Sequence, residues 1–162
     1  GNGVIVLQSG WEQKLESNKQ AYAAEFVQRA RFVAAYPATM TPAEFVDRLF
    51  TNAGVTPTGN DRMAAINEFG SASTTSDMAA RGRALRRVAE NSVLAQQEFN
   101  QAFVLMEYFG YMRRDPDTGP DSDFSGYNFW LGKLNTFGGN FQNADMVKAF
   151  LVSGEYHSRF PQ

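Results

Sequence analysis

The 162 residues are 14% aromatic and include 14 Phe, enough material to bury a core in one domain without a covalent staple. A formal net charge of −2 excludes bulk attraction to nucleic acid or an anionic membrane. The absence of cysteine and a single histidine, His157, remove disulfides, thiolate sites and most zinc or serine-triad designs.

The opening Gly-Asn-Gly-Val-Ile-Val-Leu lacks a basic leader or an apolar run of signal length, and its abrupt start reads as a boundary inside a longer chain. Beyond Val4-Ile5-Val6 the apolar positions fall at helical spacing, which predicts an all-α fold. Tyr22, Phe26, Ala30 and Val33 form one stripe that ends at Tyr36-Pro37, where proline stops a helix. Thr41-Pro42-Ala43-Glu44 supplies a capping box and a first-turn proline, and Phe45, Leu49 and Phe50 follow as a buried face up to Gly54. A helix over about 60–69 points Met63, Ile66 and Phe69 inward and stops at Gly70. Asp77 starts a helix to about Glu90, on which Arg83, Arg86 and Arg87 share a face. That face is either solvated or a patch for an anion or acidic partner.

From Ser92 to about Arg113 the pattern stays helical and carries Phe99, Phe103, Tyr108, Phe109 and Tyr111, rings on several faces that mark a central helix. The loop 115–123 follows. Tyr127, Phe129, Trp130 and Leu134 belong to the next helix, Gly138-Gly139 break it, and Asn143-Ala-Asp145 precedes a last helix through Met146, Phe150 and Leu151. This makes about seven helices. No stretch reaches the roughly 18 apolar residues of a membrane span, so no membrane insertion is expected.

One pattern recurs: charged residue, aromatic, three residues, aromatic. It occurs at Arg31-Phe32 with Tyr36, at Glu98-Phe99 with Phe103 and at Glu155-Tyr156 with Phe160, the first and last followed by proline. Aromatics four apart share a helix face, so each copy predicts a helix end plugging two rings into a core. A shift of 58 residues lays Phe45-Val46 on Phe103-Val104 and Phe50 on Tyr108. The N-terminal Trp11-Glu-Gln-Lys-Leu15 is similar to Trp130-Leu-Gly-Lys-Leu134. These matches predict a single helical domain over 1–162 made of a partial tail at 11–40, a degenerate repeat at 41–103 and a second repeat at 103–160, the two full copies interlocked through a shared helix.

The acidic loop is the sharpest site candidate. Asp115, Asp117, Asp121 and Asp123 offer oxygens to a hard cation such as calcium, although Gly126 stands where an EF-hand needs its bidentate glutamate. Alternatively the aspartates cap the following helix, or Arg114 pairs with one of them and clamps the loop. Tyr127 and Trp130 beside this loop are binding candidates, with core packing of Trp130 as the alternative. No catalytic residue and no cofactor other than that possible calcium is expected. Ser9 and Ser153 lie outside any G-x-S-x-G elbow, and no phosphate-binding glycine loop occurs.

The segments Phe103 to Asp117, Gly126 to Leu134 and Val147 to Tyr156 resemble the domain of unknown function 4214, whose pattern runs from F-V-x-x-L-Y through an L-x-R-x-P-D loop and a G-x-x-Y-W helix to F-x-x-S-x-E-F/Y. The match covers about 103–160. Within 41–103 Phe50 is retained, but Thr56-Pro57 replaces the arginine and acidic loop and no Trp follows Asn60. More distantly, the layout resembles phycobilisome linker domains. The resemblance implies a helical, non-catalytic structural or protein-binding module of a large bacterial extracellular or surface protein, with a protein partner or neighbouring domains. A calcium- or ligand-dependent binding module centred on 115–130 is the alternative, and a hydrolase lies outside both.

Overall fold

A computed structural model describes residues 2–160. Among them the regular structure is entirely helical. The elements are α1 (Trp11–Phe26), α2 (Ala30–Ala35), α3 (Pro42–Asn52), α4 (Gly59–Asn67), α5 (Met78–Ala89), α6 (Ser92–Glu107), a π-helical turn (Tyr108–Met112), α7 (Ser125–Thr136), α8 (Met146–Leu151) and α9 (Gly154–Arg159). Nine α-helices stand in place of about seven because two expected helices are each broken in two. The first breaks after Phe26, where Gln28 and Arg29 make tight turns onto Glu25 and Phe26; the ring of Phe26 then meets Phe32 edge-on at 5.6 Å. The last breaks at Ser153, whose hydroxyl accepts from the Tyr156 amide and starts α9. The Pro161 that follows the third aromatic pair lies outside the described residues.

The chain divides into two compact units, residues 1–94 and 95–162. In the first, Thr41 and Glu44 form the expected capping box on α3, and Thr58 with Asp61 forms another on α4. Phe32 and Tyr36 stack at 4.5 Å, and both rings meet Phe45 edge-on. Here the aromatic plug is buried as its spacing predicts. Met63 is a correction: it is 49% exposed, because α4 turns Ala65 rather than Met63 inward.

Arg81 lies in the middle of this core with no exposed surface. Its guanidinium donates to the carbonyls of Thr75 and Tyr36 and sits over the rings of Phe32 and Phe45, at 5.5 and 4.9 Å. These groups offset the loss of water around a cation that meets no carboxylate among the described residues, and that desolvation pulls its pKa down. The other three arginines of α5 are all paired with carboxylates, Arg83 and Arg87 on the solvent-exposed face and Arg86 largely covered. Arg83 and Arg87 both donate to Glu68, and Arg86 forks onto Glu16 and also reaches Glu90. The Arg86 hydrogen bond, helped by Gln20, holds the Glu16 carboxyl down to about 2. The Arg86 part of this ionic seam ties α5 to α1, whose backbone at Ala23 and Ala24 passes in close contact with Gly82.

In the second unit the core is Val104, Tyr108, Met112, Leu134, Ala144, Met146 and Phe150. Tyr108 and Phe150 meet edge-on at 5.3 Å. Two expectations fail here. Phe99 is 57% exposed, so the second aromatic pair is no buried plug. Nor is the part of α6 in this unit enclosed, because Phe99 and Met106 face solvent.

Candidate functional site

Loop 115–123 is organised around a cation that the chain supplies itself. Chain direction changes at Arg113, which takes the left-handed conformation after the π turn (φ 49°) and lays its guanidinium over Phe160 at 4.3 Å. Arg114 can then project into the loop, where its side chain is only 8% exposed. Its Nε and Nη2 donate to the two Glu155 oxygens at 2.7 and 3.2 Å, and Nη2 also reaches Asp121 Oδ2 at 2.8 Å. Nη1 donates to the carbonyls of Asp115, Pro116 and Thr118. The ring of Tyr108 lies beneath the guanidinium at 5.1 Å.

Charge-assisted and bidentate bonds of this kind are the strong ones. The Arg114 hydrogen bonds hold the Glu155 carboxyl below the usual carboxylate range, and Arg159 adds to the effect. Two glycines make room for the clamp. Gly119 adopts φ +81°, and a Cβ there would stand 3.0 Å from Arg114 Cδ. At Gly126 a Cβ would come within 2.7 Å of the Tyr108 hydroxyl and 3.1 Å of Asp121 Oδ2. Burial, followed by the nearby Asp121 charge, pushes the Tyr108 hydroxyl pKa up.

The four aspartates are therefore not brought together. Asp121 pairs with Arg114, Asp123 accepts from the Ser125 amide at the start of α7 (2.8 Å), and Asp115 offers its carbonyl. Asp117 is exposed. Among the described residues no group of three or more His, Asp or Glu side chains is placed to hold a metal ion. The inward oxygens of the loop surround a guanidinium.

Tyr127 and Trp130 lie on α7. The Tyr127 hydroxyl donates to the Gln101 carbonyl at 3.1 Å. Trp130 packs on Phe150 at 5.6 Å and Phe129 at 5.1 Å, with Lys133 5.2 Å from its ring. It thus packs against the core cluster that contains Tyr108 and Phe150. His157 is exposed on α9 beside the Tyr156 ring. Ser153 caps that helix and donates to the Phe150 carbonyl. Glu107 carries a different signature: it is 7% exposed, its Oε2 has no hydrogen-bond partner, and burial pushes its pKa up.

Sequence reasoning missed the strongest surface feature. Of the five phenylalanines in residues 1–94, Phe32, Phe45, Phe50 and Phe69 are buried. Of the nine in residues 95–162, only Phe150 is. Phe99, Phe109, Phe124, Phe129, Phe137 and Phe141 are 40–62% exposed. Some are organised: Phe99 stacks with Phe103 at 6.2 Å, and Phe103 with Phe141 at 5.3 Å, carrying aromatic surface from α6 to the segment before α8. Periodicity alone showed no sign of this, because an aromatic stripe at helical spacing reads the same whether it meets a core or a partner.

No family model, no curated protein and no solved structure matches the chain.

Proposed function

We propose that the chain is a non-catalytic protein-interaction module of a larger bacterial extracellular or surface protein, and that its second unit docks through exposed phenylalanines. The observation that carries this reading is the partition of that residue type, four of five buried in one unit and one of nine in the other. Contiguous exposed apolar surface favours an interaction site, the stacking of Phe99, Phe103 and Phe141 makes part of this surface continuous, and aromatic anchors supply a large share of interface energy. The polar groups beside loop 115–123 are engaged with one another, which supports a clamp rather than a calcium site or a reactive centre. The two interlocked repeats at 41–103 and 103–160 belong to the same proposal. In their support, Val46 and Val104 are both fully buried, and Phe50 and Tyr108 are 2% and 3% exposed, at matching positions. The resemblance of 103–160 to the domain of unknown function 4214 points the same way.

The test is photo-crosslinking in the cell that makes the protein, with a benzophenone amino acid in place of Phe99 or Phe129 and, as control, of exposed Asn67 on α4. A discrete protein adduct at 99 or 129 and none at 67 is expected. No adduct at either phenylalanine would overturn the proposal.

A further inference from the structure

The arginine face of α5 borders a cavity of about 490 Å³ that lies wholly within the first unit, between α1 and α5. That is the size of a small-molecule site, and convergent polar groups are what orient a ligand in one. Ala23, Ala24, Ala79 and Gly82 contribute an apolar wall without bulk, and Arg83, Arg86 and Arg87 contribute the donors.

The three guanidinium groups are not equally engaged. Arg86 is used up: its terminal nitrogens fork onto Glu16, and one of them also reaches Glu90. Arg83 and Arg87 share a single carboxylate. Arg87 donates to Glu68 through Nε alone, and Arg83 donates through Nε to the Glu68 carboxylate and through Nη2 to its carbonyl. Nη1 of Arg83 and both terminal nitrogens of Arg87 have no partner among the described residues, and the two side chains are 51% and 58% exposed. Charge points the same way. Four cations, Lys19, Arg83, Arg86 and Arg87, meet three carboxylates, Glu16, Glu68 and Glu90, which leaves one positive charge in excess. Like charges four residues apart on a helix repel, and Glu68 neutralises only one of this pair.

We infer that the cavity binds a small organic anion, its carboxylate or phosphate group held by Arg83 and Arg87 and its hydrocarbon part laid against Ala23, Ala24, Ala79 and Gly82. The planar guanidinium, with donors to spare, suits an oxyanion of either kind. The site is separate from the phenylalanine surface of the second unit and adds a ligand to the interaction module.

Titration of the purified chain with hexanoate, hexyl phosphate and acetate at constant ionic strength, followed by the Nε–Hε signals of Arg83 and Arg87 in nitrogen-proton correlation spectra, tests this. Hexanoate or hexyl phosphate should shift both signals saturably, and whichever binds more tightly identifies the head group. Acetate should bind at least tenfold more weakly than hexanoate, because it has no chain to lay on the apolar wall. Arg87→Gln, which removes donors from an exposed side chain, and Ala79→Leu, which fills the cavity from an exposed position, should each weaken binding at least tenfold with unchanged circular dichroism. Arg62→Gln removes a cation that pairs with Asp47 outside the cavity and should leave binding as it is. No saturable shift with either six-carbon anion, equal affinity for acetate and hexanoate, binding that survives both Arg87→Gln and Ala79→Leu, or an equal loss on Arg62→Gln would each overturn the inference.

Discussion

Replacing Arg114 with Met removes the group that bridges Asp121 of loop 115–123 and Glu155 of α9. The structure sets the magnitude. Three hydrogen bonds to carboxylates of Glu155 and Asp121, at 2.7, 3.2 and 2.8 Å, disappear together with three to backbone carbonyls, all from a side chain 8% exposed. Breaking a buried ion pair by removing one partner costs about 3–5 kcal/mol, whereas an exposed pair is worth about 0–1. Glu155 and Asp121 retain 21% and 33% side-chain exposure, and water reaching them places the loss near the lower figure, about 3 kcal/mol. Urea unfolding followed by Trp130 fluorescence in a Trp11→Phe background reports the second unit alone. Arg114→Lys should recover little, because an ammonium cannot fork onto Glu155 while reaching Asp121 and the carbonyls. The pH dependence has a definite sign. Glu155 has a lowered pKa in the folded state, so its contribution is present above the ordinary glutamate pKa of about 4.3 and is lost as pH falls through the folded value. A loss under about 1 kcal/mol, or full rescue by lysine, would refute the clamp.

The same clamp predicts that the melting midpoint of the second unit moves neither on adding calcium nor on adding a chelator; a rise of several degrees with calcium would favour Asp115, Asp117, Asp121 and Asp123 as ligands over the clamp. For Glu107 the sign runs the other way. Burial raises its folded pKa, so stability falls as pH rises from the unfolded value through the folded one. Glu107→Gln should therefore raise the melting midpoint at pH 7 and lose that advantage below about pH 4, and an unchanged or lower midpoint at pH 7 would contradict the buried carboxylate.

Local signals in the sequence carried most of the helical layout. Thr41-Pro42-Ala43-Glu44 and Asp77 start α3 and α5 as cap chemistry demands, and Gly54 and Gly70 take the left-handed conformation expected after a helix. Helix interruptions were harder, because the break after Phe26 and the π turn at Tyr108 depend on tertiary packing of rings. Arg81 was legible in part. It lies on the apolar face that also bears Ala84, Leu85 and Val88, but an arginine at such a position reads as solvated until its carbonyl and ring partners are seen. The clamp was open as one alternative among three, since Arg114 and Asp121 are close in sequence, whereas its main partner Glu155 is 41 residues away. Least legible was the exposure of Phe99: the same four-residue spacing buries Phe32 against Phe45 and leaves Phe99 more than half exposed beside Phe103, and spacing does not encode what packs opposite.

The claim that the second unit keeps its phenylalanines for a partner rather than for its fold is tested most directly by denaturant unfolding of two variants. The double change Phe99→Ser, Phe129→Ser should cost less than about 1 kcal/mol, in keeping with surface positions, whereas Phe150→Ala in the core should cost about 3–5 kcal/mol. A loss of about 3 kcal/mol or more from the double variant would place those rings in the folding core and contradict the account.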